Sequence, residues 1–220
     1  MDTRTGGFLA AALLLLAASG PSEACSCSPV HPQMAYCKAD IVTKVRFVEA
    51  TKLNLNNNTD GELDWIQYEI KPDKFFKGFD MIPNLQYVYT ASQESLCGYN
   101  HYSTNKSEEY VIAGYIHEGK LRISSCSFIK PWAKLTASQK RGLIQLYKDG
   151  CGCNIVVCLS APCSTSTDKD CLWTDYLTSQ SSKAYQSQHY ACLPQNSNAC
   201  TWQSMKPRVA STAFRSRAAH

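Results

Sequence analysis

Cys25-Ser26-Cys27-Ser28-Pro29-Val30-His31-Pro32-Gln33-Met34-Ala35-Tyr36-Cys37 is the stretch on which the reading of this chain turns. Residues 1–24 before it read as a secretory signal peptide. Arg4 supplies the charged start, Phe8 to Ala18 a short apolar core, and Ser22 and Ala24 the small residues at −3 and −1 of a cleavage site. Cleavage after Ala24 makes Cys25 the first residue. Its free α-amine then stands beside its own carbonyl oxygen, and the pair can chelate a metal once the amine is neutral.

Working outward, removal of 24 of the 220 residues leaves 196, enough for one ordinary domain or two small ones. The apolar core of the signal is too short to cross a bilayer, and no later segment is longer, so no membrane span is expected. Without Arg4, Asp2 and Glu23, the 22 basic and 18 acidic residues become 21 and 16, a net charge of +5. That mild excess fits an acidic partner such as a sulfated glycan. It does not suggest nucleic acid, since no basic stripe interleaved with aromatics is present.

All 12 cysteines follow the signal. An even number behind a signal peptide implies a disulfide framework built in an oxidising compartment. The alternative for the Cys25-x-Cys27 and Cys151-x-Cys153 pairs is zinc ligation, although structural zinc sites favour C-x₂-C spacing and often histidine. Six bridges at roughly 2–4 kcal/mol each would supply much of the stability that a small core lacks. Spacing leaves the connectivity open among on the order of ten thousand pairings. Two sequons, at Asn57 and Asn105, mark surface loops and possible N-glycosylation sites.

Residues 31–37 form a short helix on this reading, entered through Pro32. Period-two alternation then marks strands at 41–48, 65–71, 85–90, 110–116 and 121–124. Ile41, Thr43, Val45 and Phe47 share one face; Ile66, Tyr68 and Ile70 oppose Gln67, Glu69 and Lys71; Leu85, Tyr87 and Tyr89 share another. Glu118-Gly119 turns the last two strands into a hairpin. Five strands suit a small barrel. The polar, Asn-rich segment 51–64 reads as a long projecting loop. Thr136-Ala137-Ser138-Gln139 is a capping box, opening a helix through Leu143, Leu146 and Tyr147 that Gly150 is placed to end. From Cys151 the texture becomes cysteine-dense without long periodic segments, and a second, smaller subdomain is expected. The tail beyond Trp202 carries Lys206, Arg208, Arg215 and Arg217 without an acid, and reads as a solvated end or a glycan-binding arm.

The opening from Cys25 to Val42, then Ser95-Leu96-Cys97-Gly98, Phe128-Ile129-Lys130-Pro131-Trp132, Cys151-Gly152-Cys153 and Cys171-Leu172-Trp173, closely resembles the tissue inhibitors of metalloproteinases. The resemblance spans Cys25 to about Trp202 and takes in the whole ladder of cysteines. It implies a mainly β fold with a few helices: a five-stranded OB-like (netrin-like) barrel over 25–151, and a small disulfide-rich C-terminal subdomain over 152–202. A basic tail, expected to be disordered, completes the chain over 203–220. It also implies the bridges Cys25–Cys97, Cys27–Cys126, Cys37–Cys151, Cys153–Cys200, Cys158–Cys163 and Cys171–Cys192.

The function the resemblance implies is inhibition of zinc metalloproteinases, the matrix enzymes and their disintegrin-type relatives, by a secreted protein with no cofactor of its own. The Cys25 amine and carbonyl oxygen would cap the protease zinc. Ser26 would enter the adjoining specificity pocket, Cys27, Ser28 and Pro29 would follow the cleft, and Ser95, Leu96 and Cys97 would fill the opposite side. Ser26 could instead face solvent, Leu96 could be a barrel-edge core residue, and His31 reads as structural rather than as a ligand or base. No Ser-His-Asp, paired-carboxylate or phosphate-loop signature stands out, so no catalysis is expected.

The chain departs from the family at Thr43-Lys44-Val45-Arg46, where Ile-Arg-Ala-Lys is typical, a change that reads as one on the surface. A glycan on Asn57 would narrow the target range. Trp202-Gln203-Ser204-Met205 replaces Trp-Tyr-Arg-Gly, and the tail is basic where one relative docks a latent gelatinase through an acidic tail, so that docking is not carried over. Two rivals remain. One is a netrin-like matrix- or receptor-binding module that does not inhibit. The other is a bacterial lipoprotein, disfavoured by Ser22, Glu23 and the cysteine count.

Overall fold

The computed structural model describes residues 25–53, 64–195 and 199–206. The signal segment, Asn57 with most of its loop, and the tail from residue 207 lie outside the described residues.

Helix α1 (Pro32–Lys38) starts where the sequence places it, because His31 caps it and Pro32 needs no intrahelical partner at the first position. Strands β1 (Ile41–Leu53), β2 (Trp65–Lys77), β3 (Tyr87–Ala91), β4 (Glu109–His117) and β5 (Lys120–Arg122) follow. Their order is β1-β2-β3-β5-β4, and β1 pairs with β4, from Ile41 opposite Gly114 to Arg46 opposite Glu109, to close the ring. The fold is therefore the OB-like five-stranded barrel that the resemblance implies. A sixth strand absent from the sequence reading, β6 (Ile129–Pro131), pairs with the outer side of β4. At three residues it is too short to show a period.

The inward positions of β1 and β2, Ile41, Val45, Phe47, Ile66, Tyr68 and Ile70, fill the barrel together with Val88, Ile112 and Leu121. The expected alternation holds in both strands. In β3 the core residues are Val88 and Thr90, while Tyr87 and Tyr89 point outward, and Leu85 is buried ahead of the strand rather than on the tyrosines' face. The substitution at residues 43–46 is only partly on the surface. Thr43 and Val45 are fully buried, and the Thr43 hydroxyl donates to the Lys74 carbonyl at 3.1 Å beside a bulge. Lys44 reaches Asp73 at 2.7 Å and Glu109 at 2.8 Å, and only Arg46 is exposed.

The capping box at Thr136 and Gln139 is formed and opens α2 (Ala137–Arg141). The helix does not run on to Gly150. It widens into a π turn over Gly142–Leu146, and Gly150 sits inside a 3₁₀ turn over Asp149–Gly152 rather than at a cap. The cause is Tyr147, whose fully buried ring lies where a Cβ on Gly142 would be. The wide turn, closed by Tyr147 N–H donating to the Gly142 carbonyl at 2.9 Å, makes room for that ring.

Beyond Cys151 come β7 (Asn154–Val157), β8 (Asp170–Trp173), α3 (Asp175–Ser179), α4 (Tyr185–His189), β9 (Tyr190–Pro194) and β10 (Cys200–Ser204). Strands β7 and β8 pair in parallel and β9 and β10 antiparallel. Ala191, Leu193 and Met205 join Tyr36, Val42, Val111, Leu143 and Tyr147 in one core cluster, so the C-terminal hairpin packs on α1, the π turn after α2 and the barrel wall.

Gln33 sits at this junction, 1% exposed. Its amide nitrogen donates to the Gly150 carbonyl at 2.9 Å and the Cys192 carbonyl at 2.7 Å, and its oxygen accepts from Cys192 N–H at 2.8 Å. All three bonds are buried. Gln33→Met keeps the volume but orphans three backbone groups, and should cost about 3 kcal/mol in non-reducing urea unfolding. A loss below about 0.5 kcal/mol would mean that other groups take over those bonds.

Candidate functional site

Residues 25–31 form neither helix nor strand, so other forces must hold them. Disulfides join Cys25 to Cys97 and Cys27 to Cys126, each with Cα atoms 5.3 Å apart, and Cys37 to Cys151. The remaining bridges are Cys153–Cys200, Cys158–Cys163 and Cys171–Cys192. The first two lie side by side, with the Cys25 and Cys126 sulfurs 3.8 Å apart. Two sulfur clusters, Cys25/Cys97/Cys126 and Cys153/Cys192/Cys200, are compact enough for a metal. Every sulfur in them is spent in a bridge and no cysteine is free, so neither offers thiolates.

The loop that receives Cys25 is itself stiff. Glu94–Leu96 is a 3₁₀ turn, and Cys97 follows in the left-handed region at φ 57°. Gly98 then passes so close to the Ala91 and Gln93 carbonyls that a side chain there would collide with both. Ser125 N–H donates to the Cys97 carbonyl at 2.8 Å, tying this loop to the segment that carries Cys126. Three separate segments thus meet at Cys25.

At this edge Ser26, Cys27, Ser28, Ser95 and Leu96 are exposed, while Cys25, Pro29 and Cys97 are half-buried. Leu96 is 43% exposed, which removes the core reading and leaves an apolar side chain in solvent beside the Cys25–Cys97 bridge. A recess of about 670 Å³ adjoins Cys25 and is lined by Glu94, Tyr99, His101, Tyr102 and Ser125. Its floor is aromatic: His101 stacks on Phe47 at 4.1 Å, and Tyr99 Oη lies 3.0 Å from His101 Nδ1. Burial lowers the His101 pKa, against the pull of Glu108. Glu108 is held ionised by hydroxyl donors from Tyr110 at 2.6 Å and Ser103 at 2.7 Å. Asn105 is exposed at the tip of the same loop, its side-chain oxygen accepting from Ser107 N–H at 3.0 Å.

Residues 23–202 match the family model described as tissue inhibitor of metalloproteinase. The chain belongs to this family. It is similar to metalloproteinase inhibitor 2 of Gallus gallus, 39% identical over 87% of this chain and 86% of that relative. It is as similar to metalloproteinase inhibitor 3 of Xenopus laevis, 39% over 84% and 83%, and to metalloproteinase inhibitor 4 of Mus musculus, 38% over 86% and 85%. The near-equal identities favour no one branch. The family is one of inhibitors, not enzymes. No helix among the described residues is long and apolar enough to cross a membrane.

Sequence reasoning singled out the residues at the edge and, through the family likeness, the bridges that anchor it, but missed the roles of Gly98 and Gln33. Gly98 had a signal, a glycine directly after a cysteine in a short polar loop. Gln33 had none, since glutamine is ordinarily exposed. His31, read as structural, is fully buried between Trp173, 5.4 Å away, and Trp202, 5.3 Å away. Its Nδ1 accepts from Gln33 N–H at 3.2 Å and so carries no proton. Burial takes the imidazole from the ordinary 6.5 down to about 3, outweighing the Gln186 backbone nearby.

Below pH 6.5 the unfolded chain binds a proton that the folded chain refuses until about pH 3. The contribution of His31 is therefore whole above pH 6.5 and is lost progressively as the pH falls toward 3. His31→Asn keeps a capping oxygen and removes the titration. Between pH 7 and pH 4.5 the parent protein should lose about 2–3 kcal/mol more stability than this variant in urea unfolding. Equal losses would mean that the imidazole is not refusing its proton.

Proposed function

We propose that the chain is a secreted inhibitor of zinc metalloproteinases that caps the catalytic zinc of its target with the α-amine and carbonyl oxygen of Cys25. The observation that carries this reading is the Cys25–Pro29 edge, with Ser26, Cys27 and Ser28 exposed, anchored by two adjacent bridges in a member of an inhibitor family. The Cys25 sulfur is already bonded to Cys97, which leaves the backbone nitrogen and oxygen as its donors. An α-amine with a pKa of about 7.7–8.0 is partly neutral at physiological pH, and a metal favours the neutral form. In such proteases water fills the open position on zinc and becomes the nucleophile, so two better ligands displace it and stop the reaction. No peptide bond then crosses the metal, and nothing is cut. A terminus already rigid loses little further entropy on docking.

In this reading Ser26 enters the pocket beside the zinc, Cys27, Ser28 and Pro29 follow the cleft, and Ser95, Leu96 and Cys97 cover its other side. Residues 25–151 form the inhibitory domain and the disulfide-rich subdomain follows from residue 152; its last strand runs to Ser204 and Met205 is buried, so the basic tail begins later than the expected residue 203. The targets are matrix metalloproteinases and disintegrin-type relatives. The charge of the chain suits retention by sulfated glycans in the extracellular matrix.

Carbamylation of the Cys25 amine, or one alanine added before Cys25, should weaken inhibition at least about 100-fold, near 2.7 kcal/mol, with an unchanged thermal midpoint. Retained potency in a titration against active proteases refutes chelation. Sequencing of the secreted protein should begin at Cys25; a start at Ala24 or earlier favours a binding module that does not inhibit. Ser26→Gly empties one pocket and should spread affinities across a protease panel by about tenfold. A uniform change would place Ser26 outside that pocket.

A further inference from the structure

The two bridges that anchor the exposed edge touch one another. The Cys25 and Cys126 sulfurs are 3.8 Å apart although they belong to different bridges. The Cys97 sulfur joins them, all three lying within 4.8 Å of one another. Cys27 and Cys126 are exposed while Cys25 and Cys97 are half-buried, so solvent reaches the Cys27–Cys126 bridge first. The Cys153, Cys192 and Cys200 sulfurs also lie within 4.8 Å of one another and also belong to two bridges. There Cys171, Cys192 and Cys200 are buried. The molecule thus carries its own contrast, equal proximity without access.

The cavity beside the outer bridge is lined by Cys27 and Cys126 together with Lys130, Lys134 and Lys183, and by no aspartate or glutamate among the described residues. Disulfide exchange begins with a thiolate and leaves a thiolate behind, so positive surroundings favour both the approaching and the departing anion. The receiving side is fixed. Ser125 N–H donates to the Cys97 carbonyl at 2.8 Å, which holds Cys97 and Cys126 next to each other. The other side is held by the bridges themselves. Residues 25–31 belong to no helix or strand, so no ladder hydrogen bond has to break for Cys25 and Cys27 to exchange partners.

We infer that the touching bridges form a thiol-operated switch, at which a small thiol such as glutathione re-pairs them as Cys25–Cys126 and Cys27–Cys97. The incoming thiolate attacks the exposed Cys27 sulfur, making a mixed disulfide and leaving the electron pair on Cys126. The Cys126 thiolate attacks the neighbouring Cys25 sulfur, forming Cys25–Cys126 and releasing Cys97 as a thiolate. The Cys97 thiolate attacks Cys27, closing Cys27–Cys97 and returning the small thiol. Nothing is oxidised or reduced overall, and one thiol serves many molecules. The product anchors Cys25 to residues 125–127 in place of the loop that follows the stiff turn at Glu94–Leu96, and so displaces the edge. The re-pairing is independent of zinc capping; its consequence, loss of inhibition, rests on the inhibitory function proposed above.

The test incubates the full secreted protein with reduced glutathione at neutral pH, quenches with acid, and maps the bridges by mass spectrometry with the backbone broken between Ser26 and Cys27. Fragments in which Cys25 carries the Cys126 peptide should rise within hours to at least about a tenth of the molecules. A form with glutathione on Cys27 should precede them, and Cys153–Cys200 and Cys171–Cys192 should stay intact. In titration against an active matrix metalloproteinase, the inhibitory fraction should fall by the re-paired fraction. The inference is overturned if Cys25 stays on Cys97 throughout, if the buried bridges exchange as fast, or if the re-paired form inhibits as well as the parent. The double variant Cys27→Ser/Cys126→Ser lacks the outer bridge, and glutathione should leave its Cys25–Cys97 bridge closed; opening at the parent's rate overturns the order of attack. If carbamylation of Cys25 spares inhibition, zinc capping fails, while the peptide map of the parent protein still decides the re-pairing.

Discussion

Seven residues without secondary structure, Cys25 to His31, are held by bonds to distant parts of the chain, and the rest of the molecule is arranged around that constraint. No helix or strand ladder holds this segment. Covalent bridges do. The links from Cys25, Cys27 and Cys37 close separations of 72, 99 and 114 residues. Taken singly, loops of that length stabilise by about 4–5 kcal/mol each in the chain-entropy description. They also set direction, since the first two land on loops that Ser125 N–H and the Cys97 carbonyl hold together.

The second half of the anchor is buried and polar. His31 plugs the space between Trp173 and Trp202, and Gln33 spans from Gly150 to Cys192. Both side chains project from the start of the chain into elements that follow Cys151 or immediately precede it. The part of the protein beyond the barrel therefore steadies the terminus it never touches through sulfur. The cluster shared by Tyr36, Leu143, Ala191, Leu193 and Met205 extends the same coupling through apolar contact. A change in the C-terminal hairpin has a physical route to the exposed edge, through Cys192 and Gln33.

Much of the barrel was legible because period-two alternation reports burial directly. Ile66, Tyr68 and Ile70 face inward as read, and so do Ile41, Val45 and Phe47. The reading weakened wherever a residue's surroundings came from elsewhere in the chain. The departure at residues 43–46 reads as a surface change, yet Thr43 is buried on the inward face of β1 and its hydroxyl donates to the Lys74 carbonyl. The helix after Thr136 has the right start, but its continuation is set by one ring, Tyr147, resting against Gly142. Leu96 reads equally well as core or surface until the 3₁₀ turn puts it outside. The pairing of the cysteines was carried by family likeness alone, for spacing does not encode it.

By itself the sequence determined the oxidised cysteine-rich class, the five strands of the barrel, the helix that follows Pro32 and the kinship of residues 25 to about 202. These rest on local chemistry: alternation, capping, cleavage signals and an ordered series of cysteines. Only the tertiary structure decided that Ser26, Ser28, Ser95 and Leu96 stand exposed on one edge, and that Gln33 is a buried strut. Those facts depend on residues about 70 to 160 positions apart meeting in space. Nothing in the neighbourhood of a residue along the chain reports such a meeting.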